Sequence, residues 1–306
     1  MEKVSIALAT YNGGKYLSEL LDSLLAQTIL PNEIIVSDDL SKDNTIQILK
    51  DYSKKLPIRI FRNELNLGVN KNFENAVKKC SGDYILICDQ DDVWLANNIE
   101  EKIRILEKLP KNQPALVTTQ SIVADKNLKI LQKAYASKDI SDWLFLLTKC
   151  YQGTTMAFNR KLLDAMPRQW PETFKEFPYD YCIYLTALLT GNVYSSKEAL
   201  MFYRIHDNNA SLKVSKFRNF IKQIFPTQKL YQDRISVSMM NNMRWLISAI
   251  DENLIIVERR KIIDAFLQCR KDNKIRWTTF LRQKSIPFTI RFKSLCGSAV
   301  FSFKEQ

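Results

Sequence analysis

The chain has 306 residues, of which 46% are hydrophobic and 25% charged, with seven glycines and nine prolines. That length supports one full core plus an appendage, and the composition excludes collagen-like and low-complexity architectures. The net charge of +12 is confined to the last third: residues 1–212 carry 26 basic and 26 acidic side chains, and residues 213–306 carry 19 and 7. Two regions with different partners are therefore expected, divided near residue 212.

In chain order, VSIALA (4–9) reads as a buried strand ending at the turn Thr10-Tyr11-Asn12-Gly13-Gly14. Leu17, Leu20, Leu21, Leu24 and Leu25 then recur at helical spacing. After Pro31, EIIVSDD is a second strand, DNTIQILKDYSKKL a helix capped by Asp43 or Asn44, IRIFRN a third strand, GVNKNFENAVKKC a helix and DYILICD a fourth strand. This alternation predicts an α/β unit with a largely parallel sheet, whose ligands bind beyond the carboxyl ends of the strands. Three such ends carry polar clusters: Thr10-Tyr11-Asn12, Asp38-Asp39 and Asp89-Gln90-Asp91-Asp92. Past residue 110 the alternation weakens. ALVTT, TTMAF and ALMFY read as strands, DWLFLLTKC and DYCIYLTALLTG as helices, and from about residue 216 the pattern is helical and basic.

The N-terminus lacks the pattern of a signal peptide, and no window reaches the ~18 apolar residues of a membrane span. The six cysteines are scattered without a C-x-x-C pair, which points to reduced thiols in a cytosolic protein.

Three carboxylates within Asp89–Asp92 repel one another unless protons or a cation intervene, and Mg²⁺ or Mn²⁺ suits oxygen donors that also meet substrate phosphates. A solvated acidic loop is the competing reading. An EF-hand fails because its glycine position falls on Trp94, and NGGK lacks the spacing of a P-loop.

The segments VSIALATYNGGKYLSELLDSLLAQT, EIIVSDDLSKDNT, NLGVNKNFENAVKKCSGDYILICDQDDVW and YRIHDNN together resemble the family 2 glycosyltransferases of the GT-A fold, over roughly residues 3–210. The N-x-G-V-N-x-N-F and D-Q-D-D-V-W motifs are most similar to a bacterial rhamnosyltransferase-like branch. The resemblance implies a GT-A domain over 1–212 and leaves 213–306 as a helical, basic extension. It implies that Thr10 and Tyr11 flank the nucleotide base, with Tyr11 stacking on it, and that Asp39 accepts a hydrogen bond from a pyrimidine ring N–H. Asp38 is either directed at the ribose or a structural cap. Leu40 stands where the family has a glycine, so the turn is expected to differ locally.

Further along the chain, the resemblance implies metal binding by Asp91, ribose or donor contacts by Asp89 and a supporting role for Asp92. Trp94 belongs either to the donor sugar pocket or to the core. His206, the only histidine, is implied as a ligand of the metal or diphosphate. Arg204 assists the phosphates or is a surface charge. Gly153-Thr154-Thr155 is a loop near the donor diphosphate or a plain turn leading into a strand. An inverting transfer needs a carboxylate base on the acceptor hydroxyl, and the match points to Asp180, also the expected N-cap of its helix, with Glu176 as the nearest rival.

The basic tail interleaves Lys and Arg with Trp245, Trp277, Phe280, Phe288, Phe292, Phe301 and Phe303. It suits an anionic membrane surface, nucleic acid, or packing on the catalytic domain. The enzyme reading favours the membrane and argues against nucleic acid. The sequence therefore predicts a cytoplasmic transferase, peripheral on the inner face of the membrane. It would move L-rhamnose from dTDP-L-rhamnose, or a hexose from a UDP-sugar, to a glycan or lipid-linked acceptor in cell-surface polysaccharide synthesis. A nucleotide-sugar-binding protein without catalysis is the other alternative.

Overall fold

The computed structural model describes residues 2–132, 152–168, 178–207, 209, 241–268, 270–271 and 274–275. Nine strands form one mixed sheet in the order β3-β2-β1-β4-β8-β6-β9-β5, with β7 paired to β6. These are β1 (Val4–Thr10), β2 (Glu33–Asp38), β3 (Ile58–Arg62), β4 (Tyr84–Asp89), β5 (Val93–Trp94), β6 (Ala115–Ala124), β7 (Ile130–Gln132), β8 (Met156–Asn159) and β9 (Asn192–Arg204). The first four are parallel, β8 runs against β4 and β6, and β6 and β9 are parallel to each other. The expected parallel α/β unit is thus present, and the weaker pattern beyond residue 110 corresponds to a mixed half of the sheet.

The central strands β1, β2, β4, β6 and β8 are buried along almost their whole length because helices cover both faces of the sheet there. Val4, Ile6 and Leu8 of β1 point into one core with Leu17, Leu20, Leu21 and Leu24 of α1 (Leu17–Leu25). Ala7 and Ala9 point into a second core with Phe73, Ala76 and Val77 of α3 (Val69–Lys79). The strand period of two and the helical period near 3.6 account for this division. Helices α2 (Thr45–Tyr52), α4 (Asn98–Leu106), α5 (Arg160–Ala165) and α6 (Tyr179–Thr190) complete the two layers.

Strand register places the site. Thr10 pairs with Asp38, Ala9 with Asp89, and Ala124 with Arg204, so the carboxyl ends of β1, β2, β4, β6 and β9 share one edge of the sheet. Because β8 is antiparallel to β4, the turn Gly153–Thr155 that starts it lies at this edge too. Helix α6 runs to the opposite edge, where β9 begins, so its first turn carries Asp180 to the site edge.

Within the C-terminal region, residues 241–249 and α7 (Val257–Gln268) are helical, as expected, and a short hairpin, β10 (Arg270–Lys271) with β11 (Lys274–Ile275), follows. This strand pair stands where the sequence pattern predicts helix. Ile256 N donates to Leu189 O at 2.9 Å, and the Arg259 guanidinium donates to the Leu188 and Gly191 carbonyls at the end of α6. This part of the tail packs on the end of α6 remote from Asp180, away from the site edge. DWLFLLTKC, Glu176 and the aromatic residues from Trp277 onward lie outside the described residues.

At Gly68, the residue before α3, φ is 82° and ψ 164°. Only glycine occupies that region without strain. A Cβ there would meet no atom within 4 Å, so the constraint is backbone conformation and not space. Gly68→Ala is expected to lower unfolding stability by about 1–3 kcal/mol, measured by urea denaturation; a change within error would contradict this account of the turn.

Candidate active site

The first layer of the site is a set of loops tied to one another by buried polar groups. Thr10 is buried, and its hydroxyl donates to Asp38 Oδ2 at 2.9 Å. Asp38 is fully buried and also accepts from the Ser41 backbone N–H and hydroxyl. Of the two readings for Asp38, the structure supports the structural cap. Tyr11 next to Thr10 is 47% exposed, and its backbone is clipped at both ends by the Gln90 amide: Tyr11 N donates to Oε1 at 2.9 Å and Nε2 donates to Tyr11 O at 3.1 Å. The glutamine between the acids of D-Q-D-D therefore joins the β1 turn to the β4 turn.

Asp39 accepts from Asn63 Nδ2 at 3.0 Å and from the backbone N–H groups of Leu67 and Gly68, both at 2.8 Å. A carboxylate has roughly four acceptor positions, so these three donors leave room for one more. Leu40 takes φ 66°, in the left-handed region, so this turn carries the strain expected of a non-glycine residue there, about 1 kcal/mol. Asp38 holds the turn by accepting from Ser41 N.

The acidic loop is the second layer. Asp89, Asp91 and Asp92 each offer a carboxylate oxygen, all within 4.8 Å of one another. Burial, followed by the charges of Asp91 and Asp180, pushes the Asp89 carboxyl up to about 8. Asp92 is fully buried and raised well above the usual carboxylate range by burial and then by Asp91 and Asp89. Its Oδ1 accepts from Arg204 N at 3.2 Å, while Oδ2 is buried and has no hydrogen-bond partner among the described residues. Clustered oxygen donors, one of them unsatisfied, fit a hard divalent cation.

Asp91 Oδ2 accepts from His206 Nε2 at 2.8 Å, so the only histidine lies at the acidic loop, as the resemblance implies. Arg204 is 1% exposed and is not a surface charge. Its guanidinium donates at 2.8 Å to each of Asp91 O, Lys126 O and Glu19 Oε2, which fixes the backbone of the acidic loop. Trp94 is buried in the core, not on a pocket wall.

Lys102 of α4, which its sequence context does not single out as functional, is fully buried beneath the loop. Its ammonium donates to Thr154 O at 3.3 Å and lies 5.1 Å from the Trp94 ring centroid. Burial lowers its pKa to about 7, although the charges of Cys88 and Asp92 act the other way. The available signal was its position three residues after Ile99 and four before Leu106, on the apolar face of the helix.

Gly153 is buried against the start of α6, where an added Cβ would come within 2.0 Å of Tyr179 Oη and 3.1 Å of Asp180 Cβ. Thr154 is buried, with its hydroxyl directed at Met201 Sδ, 3.6 Å away. Pro178, not Asp180, is the N-cap of α6. Asp180 is the second residue of the helix, partly exposed and within electrostatic reach of Asp89. Pro178 fits the cap because its extended ψ of 143° precedes the first helical turn.

Residues 5–166, more than half of the chain, match the profile of "Glycosyl transferase family 2". An uncharacterized glycosyltransferase of Rickettsia typhi is 31% identical over 67% of this chain and 64% of its own length. The chain thus spans less than two thirds of that relative. The Escherichia coli protein WfgD, a UDP-Glc:alpha-D-GlcNAc-diphosphoundecaprenol beta-1,3-glucosyltransferase, is 29% identical over 72% of this chain and 83% of its own. Among solved structures, S. aureus TarS 1-349 in complex with UDP superposes with TM-score 0.55 at 19% identity, over 96% of this chain and 92% of that one. The mannosyltransferase PcManGT from Pyrobaculum calidifontis, in complex with GDP-Man and Mn²⁺, gives 0.52 at 14%, over 100% and 88%. These likenesses support the GT-A architecture.

A carboxyl whose pKa is raised on folding binds its proton more tightly in the native state, so its contribution is lost as pH rises through the native value. For Asp89 that window runs from the ordinary carboxylate range up to about 8. Asp89→Asn is therefore expected to stabilise the metal-free protein at pH 8 by about 1 kcal/mol or more, with little effect near pH 4. Equal effects at both pH values, in thermal unfolding, would contradict the assignment.

Proposed function

The chain belongs to glycosyl transferase family 2, and from that premise we propose an inverting, metal-dependent transfer of a sugar from a pyrimidine nucleoside diphosphate to a hydroxyl of a glycan or lipid-linked acceptor. The observation that carries this reading is the convergence of Asp39, Asp91, His206 and Asp180 on one sheet edge, with the three carboxylates of the acidic loop within 4.8 Å.

In this reading Tyr11 offers its exposed ring to the base, and the remaining acceptor position of Asp39 takes the ring N–H. Asp91 and His206 would hold Mg²⁺ or Mn²⁺, Asp89 would meet the ribose or neighbouring donor groups, and Asp92 and Arg204 hold the loop in place. The cation, when bound, supplies positive charge to the leaving diphosphate. Asp180 removes the proton of the acceptor hydroxyl as that oxygen attacks the anomeric carbon, and the nucleoside diphosphate departs with the electrons of the broken C–O bond. One displacement inverts the anomeric centre. Gly153 and Thr154 belong to a loop near the donor diphosphate and acceptor in this reading.

The donor is dTDP-L-rhamnose on the strength of the N-x-G-V-N-x-N-F and D-Q-D-D-V-W motifs. A UDP-hexose is the second reading, favoured by the similarity to WfgD. Both would serve cell-surface polysaccharide synthesis. Among the described residues no helix is long and apolar enough to cross a membrane, and the basic tail is proposed to hold the enzyme peripherally at the inner, anionic surface.

Asp180→Asn is expected to lower kcat by about 10²–10⁴-fold with donor binding unchanged, assayed as nucleoside diphosphate release from each donor with Mn²⁺. An Asp180→Asn enzyme of near wild-type turnover would remove Asp180 from this role. Turnover of dTDP-L-rhamnose but not UDP-glucose would settle the donor in favour of rhamnose, and the opposite pattern would favour the hexose.

A further inference from the structure

Tyr16, the residue before α1, has no role in the chemistry above, yet its ring touches two of the groups that hold the acidic loop. The His206 imidazole lies with its centroid 4.7 Å from that of Tyr16, at an interplanar angle of 37°. The Arg204 guanidinium carbon lies 4.5 Å from the same ring centroid. Those two side chains meet Asp91 at different atoms. Arg204 Nε donates to the Asp91 carbonyl and His206 Nε2 to the Asp91 carboxylate, both at 2.8 Å. Tyr16, Arg204, Asp91 and His206 therefore form a closed ring of contacts, in which the aromatic plane fixes the separation between the loop backbone and the imidazole. The remaining guanidinium nitrogens are held by Glu19, three residues after Tyr16, and by Lys126. Glu19 lies on α1, so the first turn of that helix binds the ring from both ends.

The hydroxyl does not explain a tyrosine here. Tyr16 is 8% exposed, and its buried Oη has no hydrogen-bond partner among the described residues. What the contacts use is the π face, which attracts a cation and packs against an imidazole.

We propose that Tyr16 is a positioning residue for the metal ligands, setting the His206 imidazole against Asp91 through its ring and not through its hydroxyl. The proposal rests on the reading of Asp91 and His206 as ligands, and its test separates the two. Because His206 is the only histidine, its imidazole protons give a single resolved set of NMR signals that report its environment in the metal-free protein. Tyr16→Leu is expected to shift those signals through loss of the neighbouring ring current. It is also expected to raise the Mn²⁺ dissociation constant, measured by calorimetry with UDP present, by about 10–100-fold, the range found when groups that orient metal ligands are removed. Tyr16→Phe is expected to match wild type in both. Should Tyr16→Leu fail to fold, Tyr16→Met provides a ring-free side chain of closer volume.

Unchanged imidazole signals and unchanged Mn²⁺ affinity in the ring-free variant would overturn the proposal. So would a loss of affinity in Tyr16→Phe equal to that in Tyr16→Leu, because the hydroxyl would then be the active part. If wild type binds no Mn²⁺, the metal reading fails, and the metal-free imidazole signals decide the positioning role alone.

Discussion

Mutual repulsion among Asp89, Asp91 and Asp92 is the constraint around which this protein is organised. Burial at this strand end raises the proton affinity of Asp89 and Asp92, and the neighbouring carboxylate charges raise it further. The surrounding structure answers that charge with donors fixed from several directions. Arg204 and His206 come from the end of β9, Gln90 ties the loop to β1, and Lys102 lies beneath it on α4. Each is placed by strand register or by a helix packed on the sheet, so the mixed half of the fold serves to bring counter-charge to the parallel half.

The same acids hold the two turns of positive φ near the site. Leu40 is followed by Ser41, whose N–H donates to Asp38, and Gly68 itself donates its N–H to Asp39. A buried carboxylate that receives several backbone N–H groups stabilises the turn that presents them. The nucleotide side of the site is thus a pair of loops crosslinked through two acids, with Asn63 and Asn72 extending the network to Thr10.

Much of this was legible in the sequence. Alternating strands and helices gave the parallel unit, and polar clusters at three strand ends located the edge on which register now places them. Asp91 with His206 followed from the motifs, as did a helix beginning beside Asp180. Other features could not be read, for physical reasons. Arg204 looks like any charge after a strand, and only its burial reveals that its hydrogen bonds go to loop carbonyls and Glu19. Leu40 signals a strained turn in the sequence, but the Ser41 hydrogen bonds to Asp38 that hold the turn become visible only in the structure. Tyr16 reads as the start of an amphipathic helix, and Trp94, beside the acids in sequence, faces the core because successive residues of an extended strand point to opposite sides.

The central claim is that this edge binds a pyrimidine nucleotide through a divalent cation on Asp91. Calorimetric titration of wild type and Asp91→Ala with dTDP, UDP and GDP, each with and without Mn²⁺, tests it most directly. The account predicts that Mn²⁺ tightens binding of dTDP or UDP over GDP in wild type, and that Asp91→Ala abolishes this tightening. Binding that ignores Mn²⁺, or that survives unchanged in Asp91→Ala, would contradict it.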